Sequence, residues 1–169
     1  MTTTLERIRQ HAGDIELIEL KSVGDEPCLQ VAPADLPALA RALQGPCGFT
    51  TNTFVTAIDR SPKSPRFEVN YMFLSIEHGD RVRLVVPCAD DANPSVPTIT
   101  DVWPGAGFSE RECFDMFGIV FEGSADQRRL LMPDGYDHYP LRKDFPHRGI
   151  EPDRLYREWD RGRRQESDA

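Results

Sequence analysis

Hydrophobic and polar positions change period several times along the chain, and each change marks an element. Thr2 to Thr4 can cap a short first helix whose Leu5 and Ile8 face one side, with Gly13 as its stop. Ile15 to Lys21 alternates apolar and acidic side chains as a half-buried strand does, and past a Gly24-Asp25 turn Cys28 to Val31 forms a second short strand. Asp35 is placed to cap a helix in which Leu36, Leu39, Ala40 and Leu43 share a face, and Gly45-Pro46 ends it. The centre reads as sheet. Phe49 to Ile58 is rich in Thr, Phe, Val and Ile, which favours strand. Phe67, Val69, Tyr71 and Phe73 alternate with Glu68, Asn70, Met72 and Leu74; His78-Gly79-Asp80 then turns into a strand where Val82, Leu84 and Val86 alternate with Arg81, Arg83 and Val85. Together they predict a hairpin with one wetter face. Ala89 to Pro97 reads as a polar loop, and Thr98 to Val102 as a further extended segment.

The stretch from Trp103 to Pro146 is the densest in turn, helix and charge signals. Ser109 and Glu112 have the spacing of a capping box, which predicts a helix starting at Ser109, stapled by Phe108 and Cys113, with Glu110 and Glu112 at the positive end of its dipole. Cys113, Phe114 and Phe117 then share a face, and Gly118 supplies a left-handed stop. Arg111 and Asp115 are spaced to pair on the surface. Ile119 to Phe121 is a short apolar run, and Pro133-Asp134-Gly135 a turn. The prolines at 140 and 146 predict an extended strap, anchored by burial of Leu141 and Phe145, that holds Arg142, Lys143 and Asp144 out for a partner. Beyond it, Pro152 can open a short helix in which Leu155, Tyr156 and Trp159 share one face suited to docking.

These elements predict an α+β fold of two layers: helices on one face of a mixed, mostly antiparallel sheet, with an irregular extended C-terminal arm. The expected division is a core domain over 1–102, the segment 103–146 packed on it, and a polar partner-docking tail over 147–169. Charge and composition narrow the function. A formal net charge of −8 argues against nucleic acid as a partner. No apolar run approaches a transmembrane helix and no signal-peptide region opens the chain, so any work at a membrane is expected to go through another chain. The four cysteines (28, 47, 88 and 113) lack a Cys-x-x-Cys pair and read as buried free thiols, not as ligands of zinc or an iron–sulfur cluster. Catalytic alternatives remain in view. Glu110, Arg111, Glu112 and Asp115 invite acid–base chemistry, although capping and dipole account for both glutamates. Asp134, Asp137, His138 and His147 could hold a hard metal or form a hydrolytic site, or equally belong to a solvated turn. No nucleophile elbow, phosphate-cradling loop or dinucleotide fingerprint is present. Only three of the 20 basic residues are lysine, and the Arg128, Arg129, Arg142, Lys143 cluster points to interface docking by guanidinium.

ERECFDMFGIVFEG (110–123), followed by RRLLMPDGYDHYPLRKDFP (128–146), resembles the signature of the thirty-kilodalton subunit, also called the C subunit, of NADH-quinone oxidoreductase, respiratory complex I. The chain departs from the usual Gly-His-Pro of that family at Gly123-Ser124-Ala125 and at Asp137-His138-Tyr139-Pro140. The resemblance implies a non-catalytic structural subunit of the quinone module, in the hydrophilic arm of a proton-translocating enzyme. It would be inactive alone and peripheral on the cytoplasmic face of the bacterial membrane. The implied partners are subunits D and B; no cofactor sits in this chain, and FMN, iron–sulfur clusters and quinone belong to other subunits. The signature and interface residues it marks are Glu110, Arg111, Glu112, Asp115, Phe117, Gly118, Arg128, Arg129, Pro140, Leu141, Arg142, Lys143, Asp144 and Pro146. Two alternatives stand beside it: the equivalent subunit of a membrane-bound hydrogenase or deazaflavin-dependent dehydrogenase, and a stand-alone hydrolase using Asp134, Asp137 and His138.

Overall fold

The computed structural model describes residues 3–149 apart from 23 and 25. Its elements run α1 (Thr4–His11), β1 (Ile18–Leu20), β2 (Cys28–Gln30), a 3-10 turn (Pro33–Asp35), α2 (Leu36–Gln44), β3 (Thr51–Asp59), β4 (Phe67–Ser75), β5 (Asp80–Pro87), β6 (Ser95–Pro97), α3 (Ala106–Phe117) and β7 (Val120–Glu122). Five strands form one sheet in the order β1-β2-β5-β4-β3, parallel between β2 and β5 and antiparallel elsewhere. This is the mixed, mostly antiparallel sheet that the alternation predicts.

Because side chains alternate across a strand, register decides which of them meet. Leu29, Leu84, Tyr71 and Val55 stand opposite one another across four strands, with Val86, Val69 and Ala57 as the next row. All seven are buried, and Ile8 of α1, Leu36, Leu39, Ala40 and Leu43 of α2, and Cys113, Met116 and Phe117 of α3 close on them in one core. The opposite face carries Glu68, Met72 and Arg83, which stay half-buried. All four cysteines are buried free thiols; burial lifts the Cys88 and Cys113 thiols to about 12.

Helix starts separate local signals from tertiary ones. Thr3 and Glu6 form a true capping box at α1, the Thr3 N–H donating to the Glu6 carboxylate (2.8 Å) and the Glu6 N–H to the Thr3 hydroxyl (3.2 Å). Asp35 makes no cap bond, since it already lies in the helical region as the last residue of the 3-10 turn. The box expected at Ser109 does not form either, because α3 begins three residues earlier, at Ala106. The cause lies upstream. Thr98 to Val102 is not a strand: the Val102 and Trp103 N–H groups both donate to the Ile99 carbonyl, and Ala106 N–H donates to the Trp103 carbonyl. The chain is therefore already winding when it reaches the helix. Trp103 fixes that entry, its ring 4.6 Å from Phe73 and its Nε1–H donating to the Thr50 carbonyl. The strand that pairs in this region is β6, parallel to β7, inside what reads as a polar loop.

α3 buries Cys113 and Phe117 as expected, and Glu110, three residues before Cys113, shares that face. Phe108, expected to staple the helix, is 68% exposed, while Glu110 turns inward and is 1% exposed. Its carboxylate accepts from the Ile99 N–H (2.9 Å) and the Thr98 hydroxyl (2.6 Å), tying α3 to the segment after β6. Burial raises the Glu110 pKa against those two bonds. The two candidate caps should now behave differently in urea unfolding. Thr3→Ala is expected to lose about 0.5–2 kcal/mol, and Ser109→Ala, inside the helix, to stay within about 0.5 kcal/mol of the parent.

Candidate functional site

An α-helix ends with carbonyls that no later turn can satisfy. In α3 each of the last four has a partner. Gly118 N–H donates to the Phe114 carbonyl (2.8 Å) and Leu141 N–H to that of Met116 (3.1 Å). Arg129 Nη1 donates to the Asp115 carbonyl (3.1 Å) and Arg142 Nε to that of Phe117 (2.6 Å). Two guanidinium groups thus sit where the helix dipole favours positive charge. Gly118 makes the approach possible. Its φ is +73°, and a Cβ there would lie 2.6 Å from Arg142 Nη2 and from ring atoms of Tyr139.

Asp115 holds the other side of this clasp. Its side chain is fully buried, one oxygen accepting from Arg129 Nη1 (2.8 Å) and the other from the successive N–H groups of Leu130 (3.0 Å), Leu131 (2.6 Å) and Met132 (2.9 Å). The surface Arg111–Asp115 pair expected from spacing does not form, because Asp115 turns inward to this nest. Arg111 instead donates to the carbonyls of Arg128 and Arg129 and lies 3.4 Å from Asp126. Burial would raise the Asp115 pKa, but the N–H groups of Met132 and Leu131, the Arg129 guanidinium and the Leu130 N–H outweigh it and hold the carboxyl below its ordinary value.

A second carboxylate fastens the far end. Asp59, buried at the end of β3, takes both arms of Arg66 (3.0 and 2.7 Å), the Ser61 N–H and the Lys143 N–H (2.9 Å). Arg66 also reaches Asp144 at 2.7 Å. Burial opposes ionisation of Asp59, and these four donors, Arg66 foremost, still place its pKa far below the usual carboxylate range. Between the two carboxylates the strap forms consecutive turns and not the extended run expected from its prolines: Arg142 N–H donates to the Tyr139 carbonyl and Phe145 N–H to that of Arg142. The anchors are exchanged as well. Leu141 is 53% exposed and Phe145 only half-buried, while Arg142 lies half-buried over the rings of Tyr139 (4.4 Å) and Phe67 (5.0 Å). A charged head can pack this way because guanidinium is weakly hydrated and stacks on aromatic faces. Desolvation lowers the Arg142 pKa.

The remaining marked residues divide by exposure. Phe117 is buried and Pro140 half-buried; Glu112, Arg128, Lys143, Asp144 and Pro146 are exposed. Leu155, Tyr156 and Trp159 lie outside the described residues. Asp134, Asp137, His138 and His147 are all exposed, and among the described residues no three His, Cys, Asp or Glu side chains converge as metal ligands do. A shallow cleft of about 280 Å³ lies between Asp137, Arg142 and Phe145. Sequence reading missed Asp59, Arg66, Tyr136 and Tyr139. An Asp at a strand end followed by an Arg-flanked loop was the signal present, but its partner lies 84 positions away.

The family described as the respiratory-chain NADH dehydrogenase 30 Kd subunit matches residues 29–151. The chain belongs to this family. Among relatives of the 30 Kd subunit, the C subunit of NADH-quinone oxidoreductase from Ruegeria pomeroyi is 46% identical over 72% of this chain, a match spanning 60% of the Ruegeria protein. The C/D 2 subunit of NADH-quinone oxidoreductase from Aquifex aeolicus is 39% identical over 87% of this chain but only 24% of its own length. Among solved structures, a chain of the membrane-bound sulfane sulfur reductase, an archaeal respiratory membrane complex, superposes with a TM-score of 0.70 at 25% identity. The match covers 85% of this chain and 84% of that one.

The clasp makes two measurable commitments. Asp115→Asn replaces one half of a buried ion pair and should cost about 3–5 kcal/mol; Arg142→Ala should cost about 1–3 kcal/mol even in the isolated chain, through the lost charged hydrogen bond and ring contacts. A carboxyl whose folded pKa is depressed stabilises the fold above its unfolded pKa of about 3.9 and loses that contribution as pH falls toward the folded value. Unfolding free energy should therefore drop below about pH 4 in the parent, and drop less steeply in Asp115→Asn; equal slopes would show that Asp115 has no part in the acid limb.

Proposed function

We propose that the chain is a non-catalytic structural subunit of the quinone module, in the hydrophilic arm of a proton-translocating NADH-quinone oxidoreductase. The observation that carries this reading is the use made of the signature. Glu110, Asp115, Arg129 and Arg142, the groups best suited by type to chemistry, are each bonded within the fold. They make an internal fastening, which is what a scaffold needs. Electron transfer then runs through FMN, iron–sulfur clusters and quinone on other subunits. Subunits D and B are the proposed partners. The Aquifex relative supports D, since its name joins C and D in one protein and the match to this chain takes up 24% of its length. Attachment at the cytoplasmic face of the membrane would come through those partners; among the described residues no helix is long and apolar enough to cross a membrane.

Copurification tests the assignment. The chain, tagged in its native host and extracted from membranes, should bring down NADH-quinone oxidoreductase subunits, D and B among them. Recovery with hydrogenase or deazaflavin-dependent dehydrogenase subunits would replace it, and hydrolytic activity of the chain alone, lost in His138→Ala, would favour the hydrolase reading. The surface offered to partners is expected on the outward side of the clasp, where Arg128, Leu131 and Leu141 are exposed. Leu131→Asp should leave the isolated chain within about 0.5 kcal/mol of parental stability, as at an ordinary surface site. In membranes it should reduce quinone reductase activity, with the complex failing to assemble on native gels.

A further inference from the structure

The two carboxylate fastenings are joined by something continuous. The Arg129 guanidinium lies 5.8 Å from the Tyr136 ring centroid and 5.2 Å from that of Tyr139; Arg142 lies 4.4 Å from Tyr139 and 5.0 Å from Phe67; Arg66 lies 4.7 Å from Phe67. Rings and cations thus alternate from Tyr136 through Arg129, Tyr139, Arg142 and Phe67 to Arg66. Arg129 ends on Asp115 and Arg66 on Asp59. Each inner member touches two neighbours, so displacing one removes support from both sides.

We propose that residues 126–146 close on the body as one cooperative latch, in which the Asp115 and Asp59 fastenings are coupled through this stack. The physical basis is shared side chains: Tyr139 is packed by both Arg129 and Arg142, and groups with common partners couple energetically where separated sites do not. Gly118 lets the stack sit against the α3 backbone with no side chain between. The coupling is a property of the chain itself, whatever complex it joins. Its consequence is a strap that is either wholly seated or wholly released, a local opening below global unfolding.

Amide hydrogen exchange on the full chain reads the two ends separately. Leu130, Leu131 and Met132 donate their N–H groups to Asp115, whereas Lys143 donates to Asp59 and Phe145 to the Arg142 carbonyl. Asp59→Asn weakens one end only. It should speed exchange at 143 and 145 by about tenfold and at 130–132 by a comparable factor, with the β4 and β5 amides unchanged. If those strand amides also open, Asp144→Asn, which removes only the exposed Arg66 contact, takes its place with the same expectation at a smaller factor. In Tyr139→Leu the response at 130–132 should disappear while that at 143 and 145 persists. Acceleration confined to 143 and 145 in the parent background overturns the proposal, as does coupling that survives Tyr139→Leu. No acceleration at either end overturns it too.

Discussion

The buried carboxylate of Asp115 is the constraint on which the second half of this chain depends. A fully buried anion is tolerated only when paired and hydrogen-bonded. Asp115 has four donors, three of them backbone N–H groups in succession. Meeting that demand fixes the path of residues 130–132, a stretch in no regular element. With their N–H groups committed inward, Leu130 and Leu131 stay exposed. One ionised group thus determines a loop conformation and, through it, part of the outer surface.

The end of α3 extends the same logic. Its terminal carbonyls are met by Gly118, Leu141, Arg129 and Arg142, so the helix terminus and the strap solve each other's hydrogen-bonding problem. Glu110 does the equivalent at the other end of the helix, toward Thr98 and Ile99. α3 is therefore held to the chain before it and after it by charged side chains, while Cys113, Met116 and Phe117 hold it to the sheet by burial. Net hydrogen-bond energies are modest, but an orphaned buried partner is expensive. Such an arrangement favours one geometry over its neighbours more than it adds to total stability.

That property suits a member of the 30 Kd family in the scaffold role proposed for it. A scaffold must present an unchanging surface, and a strap fixed before docking loses less entropy on binding than a loose one. The likeness to a chain of an archaeal sulfane sulfur reductase complex shows the same architecture in a respiratory assembly named for a different chemistry. Fold alone therefore does not fix the chemistry of the assembly that carries it.

Local pattern was enough to read the strands of the five-stranded sheet, the faces of α1 and α2, and the family. Alternation at 67–73 and 82–86, and the spacing of Leu36, Leu39, Ala40 and Leu43, need no distant information, and the residues they mark as inward are buried, although Asn70 and Val85 on the other face of the sheet are buried as well. The Gly118 stop was legible for the same reason, since a left-handed terminus needs no remote partner. Where α3 starts, which way Glu110 faces, and what Asp115, Arg129 and Arg142 hold were settled by packing alone. Each of those depends on a group beyond the reach of local periodicity: Trp103 on Phe73 and Thr50, Glu110 on Thr98 and Ile99, Asp115 on Arg129 and the N–H groups of 130–132, Arg142 on Phe67. A capping box at Ser109 is worth about 0.5–2 kcal/mol, and an i, i+4 pair at Arg111 and Asp115 about 0.2–0.5 kcal/mol. Burial of an aromatic ring and satisfaction of a buried charge are worth more, so the local signals gave way.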